Sequence, residues 1–202
     1  MINSFSLKPT MLLQLSGGID SAFVLWEWLK NNPDEICLVH HINLKNHEGR
    51  LEFEKIAVDN ILKWFMNQGL NNFIYLESGF DYGTVNYIIK DVEICGLFLG
   101  IILRNPKWSG IEKILMPIYE DINSAREIRK RKILDIVSYN KKVKIEYPLK
   151  GLTKLDVINK IPKELLELTW YCRKPINKIL CGKCYTCNEV NDSLEVIRQL
   201  QS

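Results

Sequence analysis

The stretch Leu12-Leu13-Gln14-Leu15-Ser16-Gly17-Gly18-Ile19-Asp20-Ser21-Ala22-Phe23-Val24-Leu25 decides how this chain is read. It runs as strand, tight turn, then helix. Two adjacent glycines let the backbone take positive φ and approach an anion closely. The helix that follows presents N–H groups and a partial positive charge to that anion. Ser16 and Ser21 add hydroxyl donors at the two rims of the turn. Asp20 repels a phosphate directly, so it either caps the helix or holds Mg²⁺ beside the phosphates. The loop from Leu15 through Ser16, Gly17, Gly18, Ile19 and Asp20 to Ser21 is therefore the candidate phosphate cradle. It is not a Walker A loop, which needs G-x-x-x-x-G-K-S/T.

Outward from this loop, short apolar runs alternate with longer helical ones, the signature of a parallel α/β sheet. Strands are expected at Met11–Leu15, Ile36–Ile42, Phe73–Leu76, Lys113–Met116 and Val143–Glu146, about five in all. Helices are expected at Asp20–Asn31, Gly49–Met66, Asn86–Leu103 and Ser124–Ser138, and Thr153–Asp156 reads as a capped helix start. After Pro162 periodicity is lost until a final helix near Glu189–Leu200. The chain is expected to divide into an α/β domain, residues 1–162, and a small metal-organised part, residues 163–202.

That second part carries Cys172, Cys181, Cys184 and Cys187, spaced C-x8-C-x2-C-x2-C. Four thiolates at such spacing can close a tetrahedron around Zn²⁺, and four protein ligands leave no open position, so the metal is expected to be structural. An iron–sulfur cluster is the rival, but the ferredoxin pattern continues with a further downstream cysteine and none follows Cys187. Cys37 and Cys95 lie in apolar surroundings and read as core residues.

The chain has 202 residues, 47% hydrophobic and 25% charged, which suits a globular protein with a real core. A formal charge of +3 is too small to argue for nucleic acid binding across the whole surface. No signal peptide is visible, and the longest apolar stretch, Ile94–Leu103, is too short to span a bilayer. The expectation is a cytoplasmic protein with no membrane partner.

The loop resembles the S-G-G-x-D-S loop of the N-type ATP pyrophosphatases, the PP-loop enzymes. Loop and cysteines together resemble the 7-cyano-7-deazaguanine synthases, which pair such a loop with a terminal zinc knuckle of this spacing. Three more stretches carry the likeness: Leu168-Thr169-Trp170-Tyr171-Cys172, Cys181-Gly182-Lys183-Cys184-Tyr185-Thr186-Cys187, and Pro148-Leu149-Lys150-Gly151-Leu152-Thr153-Lys154-Leu155-Asp156. The middle departs from the family. Tyr87–Asp91 stands in place of V-P-G-R-N, Glu120–Glu127 replaces a G-Y-P-D-C-R stretch, and His40, His41 and His47 follow the second strand.

The resemblance implies a Rossmann-like fold of the adenine nucleotide alpha hydrolase type and a carbon–nitrogen ligase using ATP, Mg²⁺ and Zn²⁺. A 7-deazaguanine carboxylate (or amide) would be adenylated and attacked by ammonia, giving an amide or a nitrile. It also implies a homodimer, catalytic work for Ser16, Asp20, Ser21 and Lys154, and nucleic acid as an unlikely direct substrate. Another PP-loop activity on a nucleoside or tRNA, and a non-catalytic nucleotide-binding module, stay open as alternatives. Of His40 and His41, which close a strand at the ligand edge, His41 is taken to touch ATP while the other packs. Lys154 either contacts substrate or phosphate, or is a surface helix lysine. The basic run Arg126, Arg129, Lys130, Arg131 and Lys132 either grips an anion or forms a solvated helix face with Ile128, Ile133 and Ile136 inward.

Overall fold

Met11, Leu12 and Leu13 are fully enclosed, and only a strand with helices on both of its faces buries consecutive apolar residues this way. This strand, β1 (Met11–Gln14), is the centre of a five-stranded parallel sheet in the order β3-β2-β1-β4-β5. The others are β2 (Cys37–Lys45), β3 (Phe73–Asp81), β4 (Lys113–Leu115) and β5 (Lys144–Glu146). The computed structural model describes residues 8–45, 48–84, 91–119 and 124–201. Parallel strands need crossovers, here α1 (Ile19–Asn31), α2 (Leu51–Asn67), α3 (Asp91–Arg104) and α4 (Ala125–Val137). The result is the doubly wound order, which reverses at β1 and opens a crevice at the carboxyl ends of the strands there.

The sheet separates two apolar clusters. Met11 and Leu13 pack with Phe23, Leu25, Val39, Ile61 and Phe65 against α1 and α2. Leu12 and Leu38 face the other way, onto Leu99, Leu103 and Leu134 of α3 and α4. The C-terminal helices α5 (Lys154–Lys160), α6 (Lys163–Glu167) and α7 (Tyr185–Gln201) join the first cluster through Val157, Leu165 and Val190. Among the described residues no helix is long and apolar enough to cross a membrane.

Several boundaries differ from the sequence expectation. β2 and β3 run on to Lys45 and Asp81, which are paired in register and joined by a 2.8 Å ion pair; polar residues set among the apolar ones hide the outer end of each strand from a sequence reading. A 3-10 turn at Pro106–Trp108 and helix α6 are too short for periodicity to show. α7 starts at Tyr185, inside the cysteine run. α3 is described from Asp91; the expected start at Asn86, most of the Tyr87–Asp91 segment, residues 120–123 and His47 lie outside the described residues.

The inward face of α4 is also not wholly the one expected. Glu127 and Leu134 are buried and Ile133 is half-buried against Gly96, as expected of Ile133, whereas Ile128 and Ile136 are exposed, the latter by 72%. The cause is close approach to α3. A Cβ on Gly96 would lie 2.7 Å from the Lys130 carbonyl oxygen, and one on Gly100 would lie 2.6 Å from Val137 Cβ. The small residues of α3 thus choose the α4 face that fits. Gly96→Ala should lower the unfolding free energy by about 1–3 kcal/mol, because the backbone it meets cannot step aside and the gain of about 1 kcal/mol in helix propensity is outweighed. Urea unfolding compared with a control Gly69→Ala, which meets nothing within 4 Å but strains a φ of +75°, separates the packing effect from the conformational one.

Candidate nucleotide site and metal centre

The phosphate loop leaves the sheet at Leu15, whose N–H still donates to the His40 carbonyl at 2.8 Å. Gly17 then takes φ +79°, and a Cβ there would lie 2.9 Å from the Glu54 carbonyl oxygen of α2, so both conformation and space require glycine. Gly18 is the N-cap of α1 and no side chain caps that helix. The amide of Ser16 donates to Ser21 Oγ (3.2 Å), that of Gly18 to Ser16 Oγ (3.3 Å), and the two hydroxyls are 3.1 Å apart. Hydroxyls that rotate therefore hold the loop's shape, while the start of α1 is left to an anion.

Asp20 does not cap α1. Its carboxylate accepts from Tyr119 Oη and from Lys154 Nζ, the latter at 2.5 Å. Lys154 is the first residue of α5, aimed by a capping box in which Thr153 and Asp156 satisfy each other's backbone N–H. Its ammonium also lies 4.9 Å from the Tyr119 ring centre and is largely enclosed. Burial, and next the Asp20 carboxylate, push the Tyr119 phenol well above its usual range, so it stays a donor. A cation from residue 154 is thus stationed beside the first turn of α1. Among residues the sequence reading missed, Tyr119 had no signal at all.

His40 and His41 are both buried. His40 packs against Phe98, its Nε2 3.0 Å from Ser78 Oγ, and burial, with His41 beside it, lowers its pKa to about 4. His41 Nδ1 donates to the Leu15 carbonyl at 2.8 Å, which ties β2 to the loop and assigns the neutral tautomer with an acceptor at Nε2. Burial lowers its pKa as well. Both histidines line a cavity of about 80 Å³ with Gln14, Ser16, Arg50 and Cys95. Arg50, 6% exposed, bridges Glu54 of α2 and Asp91 of α3 and lies 2.6 Å from Glu48. Burial disfavours the charged guanidinium, and the carboxylates of Glu54, Asp91 and Glu48 more than offset it, holding its pKa above the usual range. A larger open groove of about 390 Å³, between α1 and β4–β5, contains none of the expected site residues.

The four cysteines converge. The sulfurs of Cys172, Cys181, Cys184 and Cys187 all lie within 4.8 Å of one another, and Cys181 and Cys187 are 3.8 Å apart. The edge of a tetrahedron with metal–sulfur bonds of about 2.3 Å is about 3.8 Å, so the set fits one ion. Backbone N–H groups of Cys181 and Cys184 donate to Cys172 and Cys181 sulfur at 3.3 Å each, and Gly182 (φ +66°) makes the turn that allows it. Cys37 and Cys95 stand apart; burial raises both thiols, Cys95 to about 11.

Metal centre and loop touch through Trp170. Its N–H donates to the Gly17 carbonyl at 2.8 Å, its indole stacks on Phe53 of α2 with centroids 4.4 Å apart, and its Nε1 donates to the Cys172 carbonyl at 2.9 Å. Chelating the ion, or Cys184→Ser, should free this strap and weaken binding of an ATP analogue at least about tenfold, read by calorimetry alongside proteolysis near residue 170. An unfolded chain binds the His40 proton below pH about 6.5, whereas the folded chain refuses it until about 4. Stability from this group is therefore complete above 6.5 and lost as pH falls through that window, on the order of 3 kcal/mol, and His40→Gln should flatten the urea profile there.

No family model matches the chain, and no curated protein matches it by sequence. Among solved structures, the U34-tRNA thiolase NcsA from Methanococcus maripaludis, with its 4Fe–4S cluster, is similar at 19% identity and a TM-score of 0.49, over 98% of this chain and 70% of that one.

Proposed function

We propose that this chain is a PP-loop enzyme that cleaves ATP to AMP and pyrophosphate in order to activate a carboxylate for attack by nitrogen, in the manner of the 7-cyano-7-deazaguanine synthases. One observation carries the reading. Three stretches far apart in sequence, each resembling that family, meet around a single turn: the loop at Gly17, Lys154 against Asp20, and Trp170 against Gly17. A strand-to-helix bend without a ligand has no need of that convergence.

In this reading the start of α1, the Ser16 and Ser21 hydroxyls and the Lys154 ammonium take up charge on the departing pyrophosphate. Asp20 positions Lys154 and supplies a carboxylate to Mg²⁺ when ATP arrives. His41 holds Leu15, and through it the loop, from the side of the small cavity. Zinc at Cys172, Cys181, Cys184 and Cys187 supplies structure, since all four of its positions are taken. A free carboxylate is a poor electrophile, and adenylation makes its oxygen a leaving group. Ammonia then gives an amide, and a second activation the nitrile.

Incubation with ATP, Mg²⁺, ammonia and 7-carboxy-7-deazaguanine should yield AMP together with the amide or nitrile by mass spectrometry. Lys154→Ala should slow AMP formation about 100-fold with folding intact. Nucleotide binding with no AMP from that acid would instead leave a nucleotide-binding module.

A further inference from the structure

The overall charge of +3 conceals a strong asymmetry. Residues 126–144 contain eight lysines and arginines against Glu127 and Asp135 alone, and residues 173–185 contain four against none, which leaves the rest of the chain net acidic. Both basic segments reach the surface. On α4, Arg126, Arg129 and Lys132 are exposed, whereas Lys130 turns in to Glu127 at 3.1 Å. Around the cysteines, Lys174, Lys178 and Lys183 are exposed, the first two at and beside a tight turn closed by the Ile176–Ile179 bridge.

These two segments are neighbours. Arg173 Nη1 is 3.6 Å from Asp91 Oδ2, and Arg129 Nε is 2.9 Å from Glu93 Oε1. Asp91 and Glu93 share the first turn of α3, so the metal knuckle and α4 flank one helical turn, about 5 Å of axis. The two cationic segments thus lie beside the N-terminal turn of α3, whose Asp91 and Glu93 each take one of their arginines. Exposed tyrosines belong to the same two segments, Tyr185 at 79% after the knuckle and Tyr139 at 72% just past α4, the second with the Arg104 guanidinium 3.9 Å from its ring centre.

We propose that this surface docks a nucleic acid, with Arg126, Arg129, Lys132, Lys174 and Lys178 meeting phosphates and the tyrosines offering faces to unpaired bases. Clustered cations on one face are the electrostatic footprint of such a partner, and a net charge averaged over the chain cannot report it. None of these residues belongs to the phosphate loop, so the docking stands or falls separately from ATP chemistry.

The test is fluorescence anisotropy with a labelled RNA hairpin, a single-stranded RNA of equal length and a DNA duplex, at about 50 and about 200 mM salt. At least one probe should bind, losing about tenfold or more in affinity across that range, as release of counterions from several phosphates requires. The triple variant Arg126→Gln, Arg129→Gln, Lys132→Gln should weaken binding at least about tenfold and flatten the salt slope, with ATP-analogue binding unchanged. Because Arg129 also pairs with Glu93, a second variant, Lys174→Gln with Lys178→Gln, probes the exposed turn with little demand on folding and should weaken binding as well. The comparison of RNA with DNA identifies the source of the phosphates. The proposal is overturned if no probe binds, if binding ignores salt, if both variants bind like the wild type, or if phosphatidylserine vesicles take up the chain while every nucleic acid fails.

Discussion

A single hydrogen bond, Trp170 N–H to the Gly17 carbonyl, is the constraint on which the site depends. A loop of two glycines has many conformations, and holding it in one costs of order 1–2 kcal/mol per residue in lost freedom. The fold recovers that cost by enclosing the loop on several sides. Glu54 and Ala57 of α2 press beneath Gly17, His41 holds Leu15 from β2, and Trp170 closes the remaining side. Trp170 can do so because its indole lies flat on Phe53 and because Cys172, two residues on, is one of four sulfurs gathered at one point. The four sulfurs are thereby coupled to the glycine turn, which they do not touch.

The second constraint is electrostatic. Arg50 is buried among the carboxylates of Glu48, Glu54 and Asp91, and removing the guanidinium would leave those acids without their shared counter-charge. Its value is geometric: it fixes the start of α2, which floors the loop, against the start of α3. Lys154 and Asp20 do the same between α5 and α1, and the Thr153–Asp156 capping box sets where α5 begins. Charges beside the glycine loop are thus held in pairs by the fold itself, which is the preorganisation that charge-stabilising sites require.

The fold class was legible because β1 is buried on both faces, which forces a continuous apolar run, and because Gly17-Gly18 followed by Asp20 and Ser21 admits few geometries. The cysteine set was equally legible, since C-x2-C-x2-C spacing leaves the chain little choice but to wrap one point. The partners of those motifs were not. Tyr119 sits 99 residues from Asp20 and Lys154 sits 134 away, distances at which no local pattern operates. The outer ends of β2 and β3 were hidden because Asn43, Lys45, Glu77 and Asp81 interrupt their apolar runs, and α4 turns Ile128 and Ile136 outward because Gly96 and Gly100 on another helix decide what it can pack. Asp20 illustrates the limit best: its residue type allowed a cap or a metal ligand, and the fold spends it on a lysine.

The distance along the chain between Gly17 and Trp170 has a consequence for synthesis. A ribosome adds about 5–20 residues per second, so the Gly17 turn leaves the exit tunnel on the order of ten seconds before the strap that shapes it. During that interval β1, β2 and β3 can already associate, but the cradle has no lid and the thiols that anchor the lid do not yet exist. The turn around Gly17 therefore takes its final shape only after the cysteine segment has been made, and a copy cut short before Trp170 would carry the loop without its strap.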